Sequence, residues 1–476
     1  MMTPPAPKEQ PVGLARAHPY IPNSAPRIRE EMLAAIGVAD ADALYAAIPE
    51  RLRFGRMLAI EPAVGSEVEL RRRLETMLDR NVSARDQLSF LGGGCWPHYV
   101  PAVVDEILSR GEFLTAYYGE TYSDHGKLQA FFEFASMVGD LVECDVVSQP
   151  TYDWGSAAAS AILMAGRLTG RDRALVPALM APERRSIIAG TCGARMRIEA
   201  VACDPATGAV DLAALDAALG DDVAGVYIEN PAFLGMLEPD SAAIIGSAHA
   251  HGALGIVGVD ATSLGVVEAP PRYGADLVCG ELQGLGIHMH YGGGTIGFIA
   301  SADDPRIVAE YPTFLVGAGR TVADEWGFGE VRWDRMAYVQ RGEARDFTGT
   351  TQCLWAIGVA VYLALIGPDG LRELGTTIMQ RSQYAAKRLG AIPGVRAPAF
   401  AAPFFKEFVI DLSGTGRSVA DVNRTLAGAG IHGPLDLSRH LPALGQSALV
   451  CVTETHTQTD IDRLADGIAA AVAQER

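Results

Sequence analysis

Short apolar segments alternate with helix-like segments between residues 85 and 320, and this alternation constrains the fold more than any other feature. Each apolar segment is four to seven residues long and is bounded by polar or turn-forming residues, as buried strands are. Strands of this kind separated by helices form a mostly parallel sheet with helices on both faces. The predicted strands are Ala174–Pro177, Met196–Val201, Val223–Glu229, Ala253–Val259, Asp276–Cys279 and Thr295–Ala300.

Helical periodicity fills the intervals between these strands. Apolar residues recur there at the three- and four-residue spacing of a helix face. The predicted helices are Pro101–Ser109, Leu128–Glu143, Ser156–Thr169, Leu212–Leu219, Ser241–His251 and Pro305–Tyr311.

The segments before and after this region have different patterns, so three parts are predicted. Residues 1–85 form an N-terminal helical arm, residues 86–340 the large α/β domain and residues 341–476 a smaller C-terminal α/β domain. The arm is expected to contain helices at Arg27–Ile36 and Asp40–Ile48 and a third that begins at Ser66. The predicted elements of the C-terminal part are helices at Cys353–Ile366, Leu371–Leu389 and Thr459–Ala473 and strands at Glu407–Leu412 and Ala448–Val452.

Charge and composition exclude several classes of protein. The chain has 57 acidic and 39 basic residues and a net charge of −18, which argues against binding nucleic acid or an anionic membrane surface. We find no signal peptide and expect no membrane-spanning helix. The seven cysteines show no pair with the spacing of a zinc or redox site. We therefore expect a cytoplasmic protein with reduced cysteines.

Asp260 is the first candidate functional residue, because it follows a predicted buried strand. In α/β sheets, ligands bind beyond the carboxyl ends of the strands. A carboxylate at such a place can pair with the ring nitrogen of pyridoxal phosphate and keep the ring protonated. Aspartates also follow strands as helix caps or loop residues, and that explanation is the more common one.

The lysine content limits what a pyridoxal phosphate site could do here. The chain has four lysines and none between Lys127 and Lys387. A self-sufficient enzyme needs a lysine after the next strand to form the imine with the cofactor, and Gln283 stands there instead. The layout is that of a pyridoxal phosphate fold without its nucleophile, unless Lys127 or Lys387 reaches the site from elsewhere.

Two further groups of residues have both a functional and a structural explanation. The glycine run Gly292–Gly294, followed by Thr295, could bring its backbone close to a phosphate, although a tight turn is the more common explanation of such a run. His288 and His290 alternate as on a strand and lack the helical spacing of zinc ligands, so no metal site is predicted. Tyrosines in the loop at residues 117–122 could cover a site or pack beneath the loop.

Several motifs, in order along the chain, resemble one family. They include His18-Pro19-Tyr20-Ile21-Pro22-Asn23, Thr115-Ala116-Tyr117, Tyr152-Asp153, Asn230-Pro231, Pro403-Phe404-Phe405-Lys406-Glu407-Phe408 and Val450-Cys451-Val452-Thr453-Glu454. Over its whole length the chain resembles subunit 1, the α subunit, of the two-subunit glycine decarboxylase, the P-protein of the glycine cleavage system.

This resemblance implies a fold, a cofactor and partners. The fold would be the fold-type I, aspartate aminotransferase-like architecture, and pyridoxal phosphate would lie on a lysine-bearing β subunit within an α2β2 assembly. The complex would decarboxylate glycine and pass the aminomethyl group to the lipoyl arm of the H-protein or to another carrier. This chain would complete the partner's active site and would not be catalytic alone.

Departures from the family's pattern leave two alternatives open. Tyr118–Gly126, the surroundings of Gln283, Pro312–Phe314 and Glu343–Gln352 differ from the family's usual residues, and loop changes on a kept scaffold accompany new substrates. The chain could belong to a complex for another amino acid or amine, or be a purely structural or regulatory subunit.

The candidate residues follow from these arguments. No residue is expected to be catalytic in this chain alone. The vestigial cofactor-site or interface candidates are Asp260, Gln283, Gly292, Gly293, Gly294 and Thr295, and the substrate or partner-site candidates are Tyr117, Tyr118, Tyr152, Asp153, Asn230, His288 and His290.

Overall fold

The computed structural model describes residues 20–21, 25–54, 56, 58–61, 63–114, 125–331, 348–349 and 351–473. The chain divides into two compact units, Met1–Asn81 and Val82–Arg476. The predicted boundaries at residues 85 and 340 stay predictions.

The first unit contains two α-helices, α1 (Pro26–Ile36) and α2 (Glu67–Leu78). Helix α1 ends at Gly37, whose φ of 82° is the left-handed geometry that glycine favours. Helix α2 begins after Ser66, whose hydroxyl accepts the N–H of Glu69. Neither helix buries a side chain.

The predicted α-helix at Asp40–Ile48 is wrong in type. The segment forms a short 3-10 helix at Asp42–Ala47, after a turn in which the Asp40 carboxylate accepts the N–H of Ala43. Ile48 has extended backbone angles and Pro49 follows it, so the helix ends there.

The second unit is built on fourteen strands in the described residues. They are β1 (Leu88–Ser89), β2 (Val146–Val147), β3 (Arg173–Pro177), β4 (Arg197–Val201), β5 (Val223–Glu229), β6 (Leu254–Asp260), β7 (Leu277–Glu281), β8 (Gly297–Ser301), β9 (Leu315–Arg320), β10 (Trp326–Val331), β11 (Glu407–Asp411), β12 (Ile431–His432), β13 (Leu435–Asp436) and β14 (Ser447–Cys451).

Seven of these strands form the central sheet, in the order β2-β8-β7-β6-β5-β3-β4. Strands β3 to β7 are parallel to one another, whereas β8 runs antiparallel to β7 and β2 antiparallel to β8. All six strands predicted for this region are present, each within two residues of its predicted ends. The prediction of a mostly parallel sheet is confirmed.

Helices cover both faces of this sheet. The remaining α-helices are α3 (Ala102–Leu108), α4 (His125–Val142), α5 (Trp154–Thr169), α6 (Pro182–Cys192), α7 (Leu212–Ala218), α8 (Ser241–Ala250), α9 (Pro305–Val308), α10 (Cys353–Gly390), α11 (Val419–Gly428) and α12 (Gln458–Ala473).

Alternate strand residues point to opposite layers of the core, as the pleat requires. Ile256 and Leu277 pack with the small residues of α5 on one face, while Val257 and Val278 pack with α4 and α8 on the other. Burial on both faces explains why these strands are continuous apolar runs in the sequence.

The C-terminal strands form a three-stranded antiparallel sheet, in the order β11-β14-β13, which packs against α10, α11 and α12. The predicted break within α10 is confirmed, because Gly367 has non-helical backbone angles and Pro368 follows it. Both strands predicted here are present as β11 and β14.

Among the described helices, α10 alone is long and apolar enough to cross a membrane by the criteria of length and composition. It packs against α3, α4 and α12, and residues such as Ala356, Val359 and Ile378 are buried. Core helices satisfy the same two criteria, and the packing of α10 is that of a core helix.

Candidate functional site

Asp260 is the last residue of β6, at the carboxyl edge of the parallel sheet. Only 3% of the residue is exposed. Its Oδ1 accepts hydrogen bonds from the backbone N–H and the hydroxyl of Thr262, at 3.2 and 2.8 Å. The other oxygen faces the interior of the unit, where it meets a lysine.

That lysine is Lys406, which immediately precedes β11 in the C-terminal sheet. Its Nζ lies 2.7 Å from Asp260 Oδ2 and 3.4 Å from the centre of the Trp96 ring, a cation–π contact. Only 2% of Lys406 is exposed. Neither Lys127 nor Lys387 was expected to reach this site, and Lys406, which the sequence did not single out, is the lysine that contacts Asp260.

His98 continues the network on the far side of the ammonium group. Its Nε2 lies 3.0 Å from Lys406 Nζ, and its Nδ1 lies 2.8 Å from a carboxylate oxygen of Glu454. An ammonium group can only donate, so Nε2 accepts and the proton resides on Nδ1, which donates to Glu454. Lys406 is thereby held between two acceptors and an aromatic face.

Gln283 occupies the place where an imine-forming lysine was sought. Its amide oxygen accepts the N–H of Trp96 at 2.9 Å, and its amide nitrogen donates to the carbonyl oxygens of Trp96 and Ile287 at 3.1 and 2.8 Å. Both ends of the side chain are thus used to tie two loops together. Gln283 is a structural residue in this arrangement.

Glu281 ends β7 and is the register partner of Asp260 on β6. Its Oε1 accepts the N–H groups of Ile296 and Gln283 at 2.6 and 3.1 Å, and its Oε2 accepts the N–H of Trp154 at 3.3 Å. Burial raises the pKa of this carboxyl to about 8, against the lowering effect of the backbone N–H groups. Two buried carboxyls therefore lie side by side, one paired with Lys406 and the other favoured in its protonated form near neutral pH.

A third acidic residue, Glu229, ends the neighbouring strand β5. Its two oxygens receive bidentate hydrogen bonds from Arg184 at 2.7 and 2.8 Å, and the guanidinium lies 4.1 Å from the centre of the Trp154 ring. Arg184 is buried. One edge of its guanidinium group is fully used by the two hydrogen bonds to Glu229. The residue lines both spaces of the cleft.

Two spaces remain at this edge of the sheet. The inner one, between Asp260, Lys406, Trp96 and Phe233, leaves the centre of a water-sized sphere only about 10 Å³ in which to move, which is too little for an aromatic ring. The outer one, measured in the same way, has about 320 Å³ and opens between the loop Gly92–Gly94 and the start of α5.

These residues do not fit pyridoxal phosphate. The carboxylate that would pair with the ring nitrogen is paired with Lys406, the residue at the imine position is Gln283, and the inner cavity is too small for an aromatic ring.

Two of the other predicted residues, Asp153 and Thr295, line the outer space. Asp153 caps α5 by accepting the N–H of Ser156 at 2.7 Å. Thr295 donates to the carbonyl oxygen of Tyr152, at 3.2 Å, and Tyr152 is 47% exposed. Asn230 accepts the N–H of Glu238 and is part of the turn after β5.

Of the glycine run, Gly292 lines the outer space, and the two predicted histidines make other contacts. His288 contacts Asp105 at 2.9 Å, and His290 stacks on Trp355 at 4.9 Å between ring centres. The glycines Gly292–Gly294 form a tight turn in which Gly292 and Gly293 are exposed and Gly294 is buried. A side chain on Gly294 would collide with the carbonyl oxygen of His288. Tyr117 and Tyr118 lie outside the described residues.

No group of three or more histidine, cysteine or acidic side chains in the described ranges is placed to hold a metal ion. All seven cysteines lie in these ranges and are free thiols.

Comparison with known proteins identifies the family. The family model described as "Glycine cleavage system P-protein" matches residues 18–468. A relative from Staphylothermus marinus, named "Probable glycine dehydrogenase (decarboxylating) subunit 1", is 37% identical over 462 residues, which is 95% of this chain and 98% of the relative. A relative of the same name from Geobacillus kaustophilus is 38% identical over 459 residues, 95% of this chain and 100% of the relative.

Solved structures agree with the sequence comparison. The crystal structure of glycine decarboxylase (P-protein) of the glycine cleavage system, in inhibitor-bound form, matches with a TM-score of 0.80 and 32% identity over 95% of this chain and 99% of that one. A sphingosine-1-phosphate lyase from Burkholderia pseudomallei matches with a TM-score of 0.63 and 15% identity, over 89% and 94% of the two chains, and supports the fold alone. The chain therefore has the fold-type I architecture and belongs to the glycine cleavage system P-protein family.

Proposed function

We propose that this chain is subunit 1 of a two-subunit glycine dehydrogenase (decarboxylating), the P-protein of a glycine cleavage system. Pyridoxal phosphate is the cofactor of the complex, and it supplies the electron sink for decarboxylation when bound. The observation that carries the proposal is the site at the carboxyl edge of the sheet, which keeps the fold of a cofactor enzyme but holds Gln283 at the imine position and Lys406 on Asp260.

The lysines of the described residues support a subunit that is not catalytic alone. Lys127 is buried near the start of α4, and Lys387 is exposed on α10. Lys406 is held by Asp260, His98 and the Trp96 ring. None of the three lies in the segment that directly follows β7, where Gln283 stands and where the cofactor aldehyde would need an amine. The imine must therefore form on another chain, which we propose is a lysine-bearing homologue.

The first unit supports association with such a partner. Helices α1 and α2 bury none of their side chains, and Met32, Ile36, Leu74 and Met77 are exposed. Exposed apolar faces of this kind are typical of surfaces that bind another protein. The relatives are named subunit 1, which implies a second subunit. An α2β2 assembly in the cytoplasm, with the lipoyl H-protein as a further partner, completes the proposal.

Reconstitution tests this function. The chain is co-expressed with its lysine-bearing homologue, and glycine-dependent exchange of CO2 is measured with the complex and with each chain alone. We expect exchange only with both chains present. An intact complex loaded with cofactor that shows no exchange with glycine would refute the substrate assignment. Turnover of glycine by this chain alone would refute the division of labour.

A surface variant separates site completion from a purely structural role. His288 is partly exposed and pairs with Asp105, so H288A is expected to preserve folding. Site completion predicts that the H288A complex assembles normally and loses at least tenfold in exchange rate. Full activity of this complex would favour a purely structural subunit.

A further inference from the structure

Pyridoxal phosphate has two charged ends, a pyridinium ring nitrogen and a phosphate. We propose that two side chains of this chain replace those ends: the ammonium of Lys406 takes the place of the pyridinium at Asp260, and the carboxyl of Glu281 takes the place of the phosphate at the start of α5. The cleft is thereby closed to the cofactor from within. The inference rests on the proposed function only for the identity of the cofactor.

The cation end is a complete binding site that is already filled. Lys406 Nζ lies 2.7 Å from Asp260 Oδ2, 3.0 Å from His98 Nε2 and 3.4 Å from the centre of the Trp96 ring. A carboxylate, a nitrogen acceptor and an aromatic face are the groups that recognise an organic cation. Only about 10 Å³ remains beside them, so a pyridinium ring could enter only if Lys406 left.

The start of α5 still borders the outer space, but the backbone N–H groups that a phosphate would need there already donate to side chains of this chain. The N-terminus of a long helix favours an anion, because its free N–H groups and its dipole point toward the ligand. Here the N–H of Trp154, the first residue of α5, donates to Glu281, which also receives the N–H groups of Gln283 and Ile296. Asp153 takes the N–H of Ser156. A phosphate at this helix end would meet two carboxyls in place of free donors.

The two substitutes come from different sheets, and this has a structural consequence. Glu281 belongs to β7 of the central sheet, whereas Lys406 leads into β11 of the C-terminal sheet. The Lys406–Asp260 pair therefore joins the two sheets within one chain. A chain whose own side chains make these contacts does not require the cofactor to hold the two sheets together.

Pyridoxamine 5′-phosphate tests the closed cleft directly, because it absorbs where tryptophan emits and cannot form an imine with a lysine. Trp96 and Trp154 line the inner cavity and report binding by quenching of their fluorescence. The purified full chain is expected to show no saturable quenching. Saturable quenching at micromolar concentrations in the wild-type chain would overturn the proposal, and this measurement needs no variant.

The double variant K406A/E281A removes both of these side chains and is expected to bind pyridoxamine 5′-phosphate. The probe concentration at half-saturation should be at least tenfold lower than any value for the wild type. Its matched control, K387A/E373A, removes the same two charges from exposed positions on α10 and should behave as the wild type. A K406A/E281A chain with native circular dichroism that gains no binding would overturn the proposal.

If K406A/E281A does not fold, K406A is heated with and without propylammonium, which returns an ammonium to Asp260. We expect the unfolding midpoint of K406A to rise by at least 2 °C more than that of the wild type, and no difference would overturn the proposal. The two proposals can fail separately. If this chain binds no pyridoxamine phosphate but its complex shows no exchange with glycine, the proposed function is refuted and the proposal of a closed cleft is still supported.

Discussion

Replacing Lys406 by methionine leaves the Asp260 carboxylate buried without its cation while keeping a side chain of similar length. At 2.7 Å the gross attraction between the two charges is about 6 kcal/mol for an effective dielectric constant of 20. Desolvation of both ions offsets part of this attraction. Removing one partner of a buried pair costs about 3–5 kcal/mol, because the remaining charge is uncompensated.

The double variant D260N/K406M removes both charges and should recover most of that loss, to within about 1–2 kcal/mol of the wild type. A coupling energy of several kcal/mol between the two sites is the expected result of the double-mutant cycle. Exposed Lys387 supplies the control, since K387M is expected to change the free energy of unfolding by less than about 0.5 kcal/mol.

Thermal unfolding followed by circular dichroism measures these differences. For a unit of about 400 residues, a loss of 3–5 kcal/mol lowers the unfolding midpoint by about 4–6 °C. A K406M chain that unfolds within about 1 °C of the wild type would refute the reasoning. A double variant less stable than K406M would refute it as well, because the buried charge would then not be the source of the loss.

Three further predictions concern other residues of the second unit. Burial raises the pKa of Glu281 from 4.5 to about 8, so between these pH values the folded chain holds a proton that the unfolded chain releases. The free energy of unfolding should therefore fall by up to about 1.4 kcal/mol per pH unit as the pH rises between these values. Urea unfolding of E281Q should lack this slope. Gly235 has a φ of 92°, and a methyl group there would collide with the Glu407 carbonyl oxygen. G235A should therefore lower the free energy of unfolding in urea by more than about 2 kcal/mol. Its control is G246A, in open space on helix α8, which should raise the free energy of unfolding by about 0.5–1 kcal/mol. Burial raises the pKa of the Cys95 thiol to about 11, so its alkylation at about pH 8, followed by peptide mass spectrometry, should be at least 100-fold slower than that of a free thiol of pKa about 8.5; comparable rates would contradict this.

The central sheet could be predicted from the sequence because its strands are buried on both faces. Val223–Glu229 has no exposed residue, so it is a continuous apolar run that ends where the strand ends. The hairpin of β9 and β10 was missed for the opposite reason. Gly317, Gly319, Gly327 and Gly329 interrupt it, and glycine gives neither the apolar alternation nor the β propensity by which strands are recognised.

The position of Asp260 could be predicted, because the strand before it is apolar and the aspartate marks its end. Its partner could not, since Lys406 lies on another sheet and pairs with it only in the folded chain. One local signal was nevertheless present. Lys406 and Glu407 interrupt a run of phenylalanines at 404, 405 and 408, and a charge within an apolar run is buried only if it is paired.

The contacts of Glu281, at the end of β7, could not be predicted from a sequence pattern either. Glu281 was recognised only as a departure from the family's usual residues. Its function depends on the N–H groups of Trp154 and Ile296, which come from two other elements. Contacts of this kind are set by the packing of the sheet against α5, and no periodicity encodes them.

The central claim is that the cofactor of the complex is held by the partner chain and not by this one. Borohydride reduction of the loaded complex fixes the cofactor to the lysine that holds it, and mass spectrometry of the separated chains then locates the pyridoxyl group. We predict one pyridoxyl group for each pair of chains, all of it on the partner. A pyridoxyl group on any lysine of this chain would contradict the account.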